Sequence, residues 1–219
     1  MTLTSPSDAE RMDRHYRYQR FIYDLTRTHY LIGRKHLIVD LKPAPGQTVL
    51  EIGCGTAWNL IRTAQRYPDA RIYGVDVSNA MLDTARASIK RKGLAKRIQV
   101  GQADATAFSA REALGIPQFD RVVFSYALSM IPGWQDALEI GAAHIAPGGS
   151  LHIVDFGQCG RLPTAFKSAL FAFLNHYTVT PRPDLEDVCR QVAATKGLAL
   201  TFNRMHRGYT DYAVLTRKT

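Results

Sequence analysis

The chain has 219 residues, 46% of them hydrophobic, with 28 Lys and Arg against 19 Asp and Glu and a formal charge of +9. That length buries a substantial core within one domain, and no linker, internal repeat or low-complexity tract divides it. Cys54, Cys159 and Cys189 form no C-x-x-C pair and no metal-ligand spacing, and nothing at the N-terminus reads as a signal peptide or a spanning helix. The expectation is a cytoplasmic protein with reduced thiols and no metal.

Residues 1–42 read as a helical arm. At 100° per residue Tyr16, Arg20, Tyr23, Arg27, Tyr30 and Arg34 fall in one stripe about 80° wide. Tyr18, Phe21, Ile22, Leu25, His29 and Ile32 occupy the opposite face, and Thr26, Thr28 and Gly33 weaken the helix. The stripe is either a solvated face or a lid, whose tyrosines meet a sulfonium or ammonium and whose arginines hold a carboxylate.

After the Pro43-Ala44-Pro45-Gly46 break, residues 43–219 alternate strand and helix. Strands are expected near 48–52, 71–75, 98–100, 120–125 and 150–155, followed by helices over 164–177 and 183–195 and an antiparallel pair over 199–204 and 209–216. The pattern is α/β.

The first strand ends in V-L-E-I-G-C-G-T-A, residues 49–57. Gly53 and Gly55 let the backbone turn tightly and approach a ligand. A dinucleotide loop has G-x-G-x-x-G to seat a pyrophosphate; here no glycine stands at Trp58, and Glu51 repels phosphate but suits a cationic tail such as the ammonium of S-adenosylmethionine. Asp76 follows Gly55 by 21 positions, where an acid accepts ribose hydroxyls. Asp104 stands at the next strand end, placed for an adenine amino group. Cys54 reads as a small side chain in a tight turn rather than a nucleophile.

These residues resemble the class I S-adenosylmethionine-dependent methyltransferases, which implies a Rossmann-like, doubly wound, seven-stranded sheet with an N-terminal helical lid, with Ala57 standing where many members have a third glycine. The resemblance implies cofactor contacts from Glu51, Gly53, Cys54 and Gly55, from Asp76, Val77, Asp104 and Ala105, and from Ser125, Tyr23, Tyr30 and Arg34. Past the fourth strand the chain reads Ser125-Tyr126-Ala127-Leu128-Ser129-Met130. It has neither the Asn/Asp-Pro-Pro-aromatic motif of base-amine enzymes nor the cysteine of cytosine enzymes. A small molecule or a lipid head group is therefore the expected acceptor, and nucleic acid is not expected, since no recognised RNA-binding motif accompanies the positive charge.

A closer resemblance is carried by residues 16–27, reading Y-R-Y-Q-R-F-I-Y-D-L-T-R, then Y-L-I-G-R at 30–34, D-F-G at 155–157, V-T-P-R at 179–182 and G-Y-T-D-Y-A-V-L at 208–215. It is to the bacterial diacylglycerylhomoserine N-methyltransferases, and implies three N-methylations giving the betaine lipid diacylglyceryl-trimethylhomoserine. On this reading Arg27, Arg34 and Arg182 hold the substrate carboxylate, Tyr177 also meets substrate, and Tyr16, Tyr126 or solvent takes the amine proton. Seven Arg or Lys against two acids between Arg11 and Lys35 favour peripheral contact with an anionic membrane face. Phe166, Leu170, Phe173, Leu174 and Tyr177 share a face that either covers the sheet or dips into a lipid surface. N-methylation of phosphatidylethanolamine and C-methylation of a quinone precursor are the competing activities.

Overall fold

The computed structural model describes residues 30–219. The expected contacts from Tyr16, Tyr23 and Arg27 lie outside the described residues. Seven strands form one sheet: β1 (Thr48–Ile52), β2 (Arg71–Asp76), β3 (Ile98–Gln102), β4 (Phe119–Ser125), β5 (Ile145–Phe156), β6 (Leu198–Met205) and β7 (Thr210–Arg217). Their order is β3-β2-β1-β4-β5-β7-β6; the first five are parallel, and β7 runs antiparallel between β5 and β6. This is the expected doubly wound α/β sheet. The order reverses between β1 and β4, which opens a crevice at their carboxyl ends.

Both faces of the sheet are covered. The face of Val49, Val123, Val154 and Phe156 packs against α1 (Arg34–Asp40), α2 (Trp58–Arg66), α3 (Asn79–Arg91) and α6 (Thr164–His176). The face of Leu50, Ile52, Phe124 and Ile153 packs against α4 (Ala110–Leu114), α5 (Trp134–Ala143) and α7 (Leu185–Lys196). The strands are apolar on both sides because each parallel strand is sandwiched, and this near-continuous hydrophobicity made them legible. Among the described residues no helix is long and apolar enough to cross a membrane.

The N-terminal segment departs from expectation. A single helix through Arg34 is interrupted at Gly33, whose φ of 99° takes the chain out of the helical region before α1 begins. Tyr30 and Arg34 therefore do not share a helical stripe. Residues 34–41 are built into the domain rather than appended to it: Leu37, Ile38 and Leu41 are buried, and Tyr67 donates its hydroxyl to the carbonyls of Ile38 and Val39. Asp40 at the end of α1 accepts from Tyr212 on β7 at 2.9 Å.

Gly157, just past β5, sits where the backbone of the 206–208 turn crosses. A Cβ there would collide with the Gly208 carbonyl and lie 2.7 Å from Asp211 Oδ1. Gly157→Ala is expected to cost about 2 kcal/mol, lowering the melting temperature by about 5 °C in a chain of this size, because the obstacle is backbone and cannot rotate away. Differential scanning calorimetry of the variant reads this directly.

Candidate active site

The loop between β1 and α2 is tied to β2 by its own backbone. Gly53 and Cys54 both donate N–H groups to the Val75 carbonyl, at 2.9 and 3.0 Å, and Gly55 N donates to Asp76 Oδ2 at 2.8 Å. Asp76 Oδ1 accepts from Ser78 N at 3.0 Å. The acid expected to meet ribose thus fixes the glycine loop to the start of the next helix. Glycine is required here for two reasons. Gly53 has a φ of 74° with Ala127 Cβ only 2.8 Å from where its own Cβ would be, and a Cβ on Gly74 would run into Leu60 and Cys54. Ala57, at the third glycine position, adopts φ 68° as the residue preceding α2, so the fingerprint's left-handed conformation is kept with a methyl group.

A polar pocket opens at this loop, lined by Leu31, Arg34, Glu51, Gly53, Cys54, Thr56, Trp58, Asn59 and Ser125. Of the expected cofactor residues it brings together Arg34, Glu51, Gly53, Cys54 and Ser125. Glu51 is buried and accepts a 2.6 Å hydrogen bond from Asn59 Nδ2. Arg34 is also buried, with its guanidinium 4.1 Å from the centre of the Trp58 ring. An acid and a cation therefore face one small space, the complement of an amino acid's ammonium and carboxylate. Burial, with Asp76 and Glu51 nearby, pushes the Cys54 thiol well above its ordinary range, which keeps it protonated and removes it as a nucleophile.

Asn59 is the residue sequence reasoning missed. Its Oδ1 is buried without a hydrogen-bond partner, as is the Ser125 Oγ at the end of β4. Buried polar atoms left open in a pocket point to a ligand that completes them. The available signal was a lone amide on the inward face of α2, which otherwise carries Leu60, Ile61 and Ala64.

Other expected contacts stand apart from this pocket. Asp104 is exposed beyond β3, and its Oδ1 accepts from both Thr106 N and Oγ1, at 2.8 and 2.7 Å. Val77 accepts from Gln102 Nε2 at 3.0 Å through its carbonyl, and Ala105 lies in the turn after Asp104. The three occupy the ends of β2 and β3, on the side away from Ser125. Arg182 is engaged elsewhere: it donates to the carbonyls of Leu128 and Ile131, at 3.1 and 2.9 Å, and so braces the loop after β4. Its fork is turned to backbone rather than held open for a substrate carboxylate.

Tyr126 departs furthest from its expected role. It has a φ of 55°, is 2% exposed, donates to the Ile32 carbonyl, and lies 3.3 Å from Thr210 Oγ1. Burial pushes its pKa far upward, so it is a strut joining the β4 end to the Ile32–Gly33 turn and not a proton acceptor. Tyr126→Phe is expected to cost about 1 kcal/mol of stability, since Thr210 still donates to the Ile32 carbonyl at 3.2 Å, and to leave the pH dependence of turnover unchanged. A shifted pH–rate profile would restore it as a base. His144 is structural: Ala110 N donates to its Nε2, so Nδ1 carries the proton and donates to the Ile140 carbonyl at 2.7 Å.

Tyr30, next in the chain to the pocket-lining Leu31, belongs to an aromatic wall. The Tyr30 ring stacks on Phe156 at 6.4 Å and meets Phe173 edge-on at 5.8 Å; Phe173 contacts Tyr177 at 5.0 Å, and Phe156 contacts Tyr209 at 5.9 Å. Tyr177 is half-buried at the end of α6 and reaches the wall rather than the polar pocket.

Residues 49–149 match the family model described as a methyltransferase domain. That stretch, from β1 into β5, is similar to a methyltransferase domain. Over 123 residues it is 31% identical to a ubiquinone/menaquinone biosynthesis C-methyltransferase of Paracoccus denitrificans, covering 54% of this chain and 46% of that protein. An O-methyltransferase of Penicillium expansum is 28% identical over 153 residues, 70% of this chain and 54% of that protein. The chain spans about half the length of these curated relatives. Among solved structures, phosphoethanolamine N-methyltransferase 2 of Haemonchus contortus superimposes with a TM-score of 0.74 at 16% identity, covering 98% of this chain and 61% of that one. An O-methyltransferase family protein of Burkholderia thailandensis gives 0.72 at 18% identity, with 98% and 65% covered. These likenesses establish the fold. The open acceptor atoms of Asn59, the buried Glu51 and the Arg34 guanidinium fit the tail of S-adenosylmethionine.

Proposed function

We propose that this protein is an N-methyltransferase that adds up to three methyl groups to the amino group of diacylglycerylhomoserine, giving the betaine lipid diacylglyceryl-trimethylhomoserine. The observation that carries the reading is the aromatic wall of Tyr30, Phe156, Tyr177 and Tyr209, joined in the chain through Tyr30 and Leu31 to the Glu51–Arg34 pocket. An amine gains positive charge as it is methylated, and aromatic faces stabilise that charge increasingly along the reaction.

S-adenosylmethionine supplies a methyl group on a cationic sulfur. Glu51 and Asn59 would hold its ammonium, Arg34 its carboxylate, and Asp76 its ribose hydroxyls. Ser125 and the aromatic wall orient the acceptor amine, and exclusion of water around the wall leaves positioning and desolvation as the main sources of rate. With Tyr126 committed as a strut, Tyr16 and solvent are the candidates for receiving the amine proton. Phosphoethanolamine, named for the Haemonchus contortus enzyme, is a related acceptor amine, which supports this class of chemistry.

Incubation with methyl-labelled S-adenosylmethionine and diacylglycerylhomoserine in mixed micelles, followed by mass spectrometry, tests the proposal: the lipid should gain one, two and then three methyl groups. A second reading, C-methylation of a quinone precursor, is favoured by the Paracoccus denitrificans relative. Label in a quinone-precursor ring with none in the homoserine lipid would establish that reading and overturn the first.

A further inference from the structure

Among the described residues, helix α6 is the least buried helix of its length. Of its thirteen residues only Leu174 is fully buried, whereas Phe166 and Phe173 are 49% and 43% exposed. At 100° per residue Phe166, Ala169 and Phe173 lie within about 60° of one another, so the exposed aromatics and the small residue between them make one continuous strip. Leu170 and Phe171 are half-buried toward the sheet, and Lys167 stretches over Phe171 at 5.3 Å. The helix thus uses one edge to cover the domain and leaves a second apolar edge outside.

The charge around that edge has a single sign. From Gly157 to Pro183 the chain has no acidic residue, while it carries Arg161, Lys167 and Arg182. Arg161 is drawn next to the exposed Arg207 by the bond from Arg161 N to the Arg207 carbonyl, at 3.1 Å, and the exposed His206 adjoins it. The acid of the 206–211 segment, Asp211, is only 5% exposed, with its carboxyl packed against Gly157. A solvent-facing aromatic strip flanked by unopposed cations is suited to the boundary between acyl chains and anionic head groups, where phenyl rings bury and arginine and lysine meet phosphate.

We propose that α6 is a docking face for an anionic lipid bilayer, with Phe166 and Phe173 entering the interface and Arg161, Lys167 and Arg207 contacting head-group phosphates. Thirteen residues are too few to span a bilayer, so the helix lies along the surface. Phe173 also touches Tyr30, which makes the docked face continuous with the aromatic wall of the site. Docking stands on the helix itself; only its use in delivering a lipid acceptor rests on the function proposed above.

The test uses the full chain without cofactor or acceptor. It compares sedimentation with vesicles of phosphatidylcholine and with vesicles in which a third of the lipid is phosphatidylglycerol. Binding is expected to the second and to weaken with added salt. Phe166→Ala/Phe173→Ala should lower the partition coefficient at least tenfold with the melting temperature unchanged, and Arg161→Glu/Lys167→Glu should do the same. In Phe166→Trp the added fluorescence should shift to the blue on the anionic vesicles. Binding unaffected by these substitutions overturns the proposal. So does a large loss of thermal stability in the double alanine variant, which would mean that the chain covers the strip itself, or a phenylalanine-dependent dimer in light scattering, which would make the face a self-association surface. Failure to methylate diacylglycerylhomoserine with docking intact would overturn the proposed acceptor alone.

Discussion

Glu51→Ala is expected to weaken binding of S-adenosylhomocysteine, the demethylated cofactor, by about 10- to 100-fold, because a charge-assisted hydrogen bond in a buried site contributes about 1.5–3 kcal/mol. The effect should be selective. Methylthioadenosine keeps the adenosine and sulfur but lacks the amino-acid tail, and its affinity should change little. Glu51 is buried, bonded to Asn59 at 2.6 Å, and shares its pocket with Arg34, so removing it takes away the group proposed to face the tail's ammonium and leaves the Asn59 amide without its acceptor. Asn59→Leu should reproduce part of the loss with the same selectivity, since it removes one neutral acceptor instead of a charge. Isothermal titration of both ligands against both variants settles the point: equal losses for the two ligands would mean that Glu51 acts by holding the glycine loop and not by meeting the tail.

The second large effect is on stability against pH, where two buried groups on β5 and β7 oppose each other. His152 donates from Nδ1 to the Tyr212 hydroxyl at 2.9 Å, Tyr212 donates onward to Asp40, and Ser150 donates to His152 Nε2 at 2.9 Å. The network is satisfied only with a neutral imidazole, and burial pushes His152 down to about 4. The unfolded chain therefore binds a proton more readily than the folded one between pH 6.5 and 4. This contribution is complete above pH 6.5 and is lost on acidification, about 3 kcal/mol in all.

Asp211 has the opposite sign. Burial pushes it up to about 6, with Asp155 and Glu186 adding repulsion that Arg204 partly relieves. Its register partner on β5 is Asp155, itself raised by burial. A carboxyl raised in the folded state favours folding below its unfolded pKa and loses that contribution as pH rises to about 6, again about 3 kcal/mol. Urea unfolding of Asp211→Asn from pH 7 to 4 should show a steeper loss of stability on acidification than the parent, and His152→Gln a shallower loss or a gain. Parallel profiles for the parent and both variants would mean that neither group changes its protonation on folding.

The glycine loop, Glu51 and Asp76 were legible in the sequence because they are local. A strand, a turn and a helix start within about a dozen residues, and the backbone conformations the turn requires restrict which residues stand there. The strands were legible for a related reason: sandwiched parallel strands are short apolar runs, and turn residues punctuate them. What lies outside that range was decided by the tertiary structure. Tyr126 follows the right strand at the right place, yet Ile32 and Thr210, more than eighty residues away on either side, bury its hydroxyl and convert it into a strut. Arg182 sits in a matching motif but is bound by the carbonyls of the β4 loop, whose approach no local pattern reports. Gly33 ends the helical spacing of Tyr30 and Arg34, and only the packing of α1 against Trp58 turns Arg34 into the pocket. Asn59 became a site residue because the Glu51 carboxylate reaches it across the loop. The sequence by itself determined the elements and the glycine loop between β1 and α2, since those depend on neighbours along the chain. Which polar side chains face that loop, and which are consumed in holding the fold, depended on contacts between distant segments.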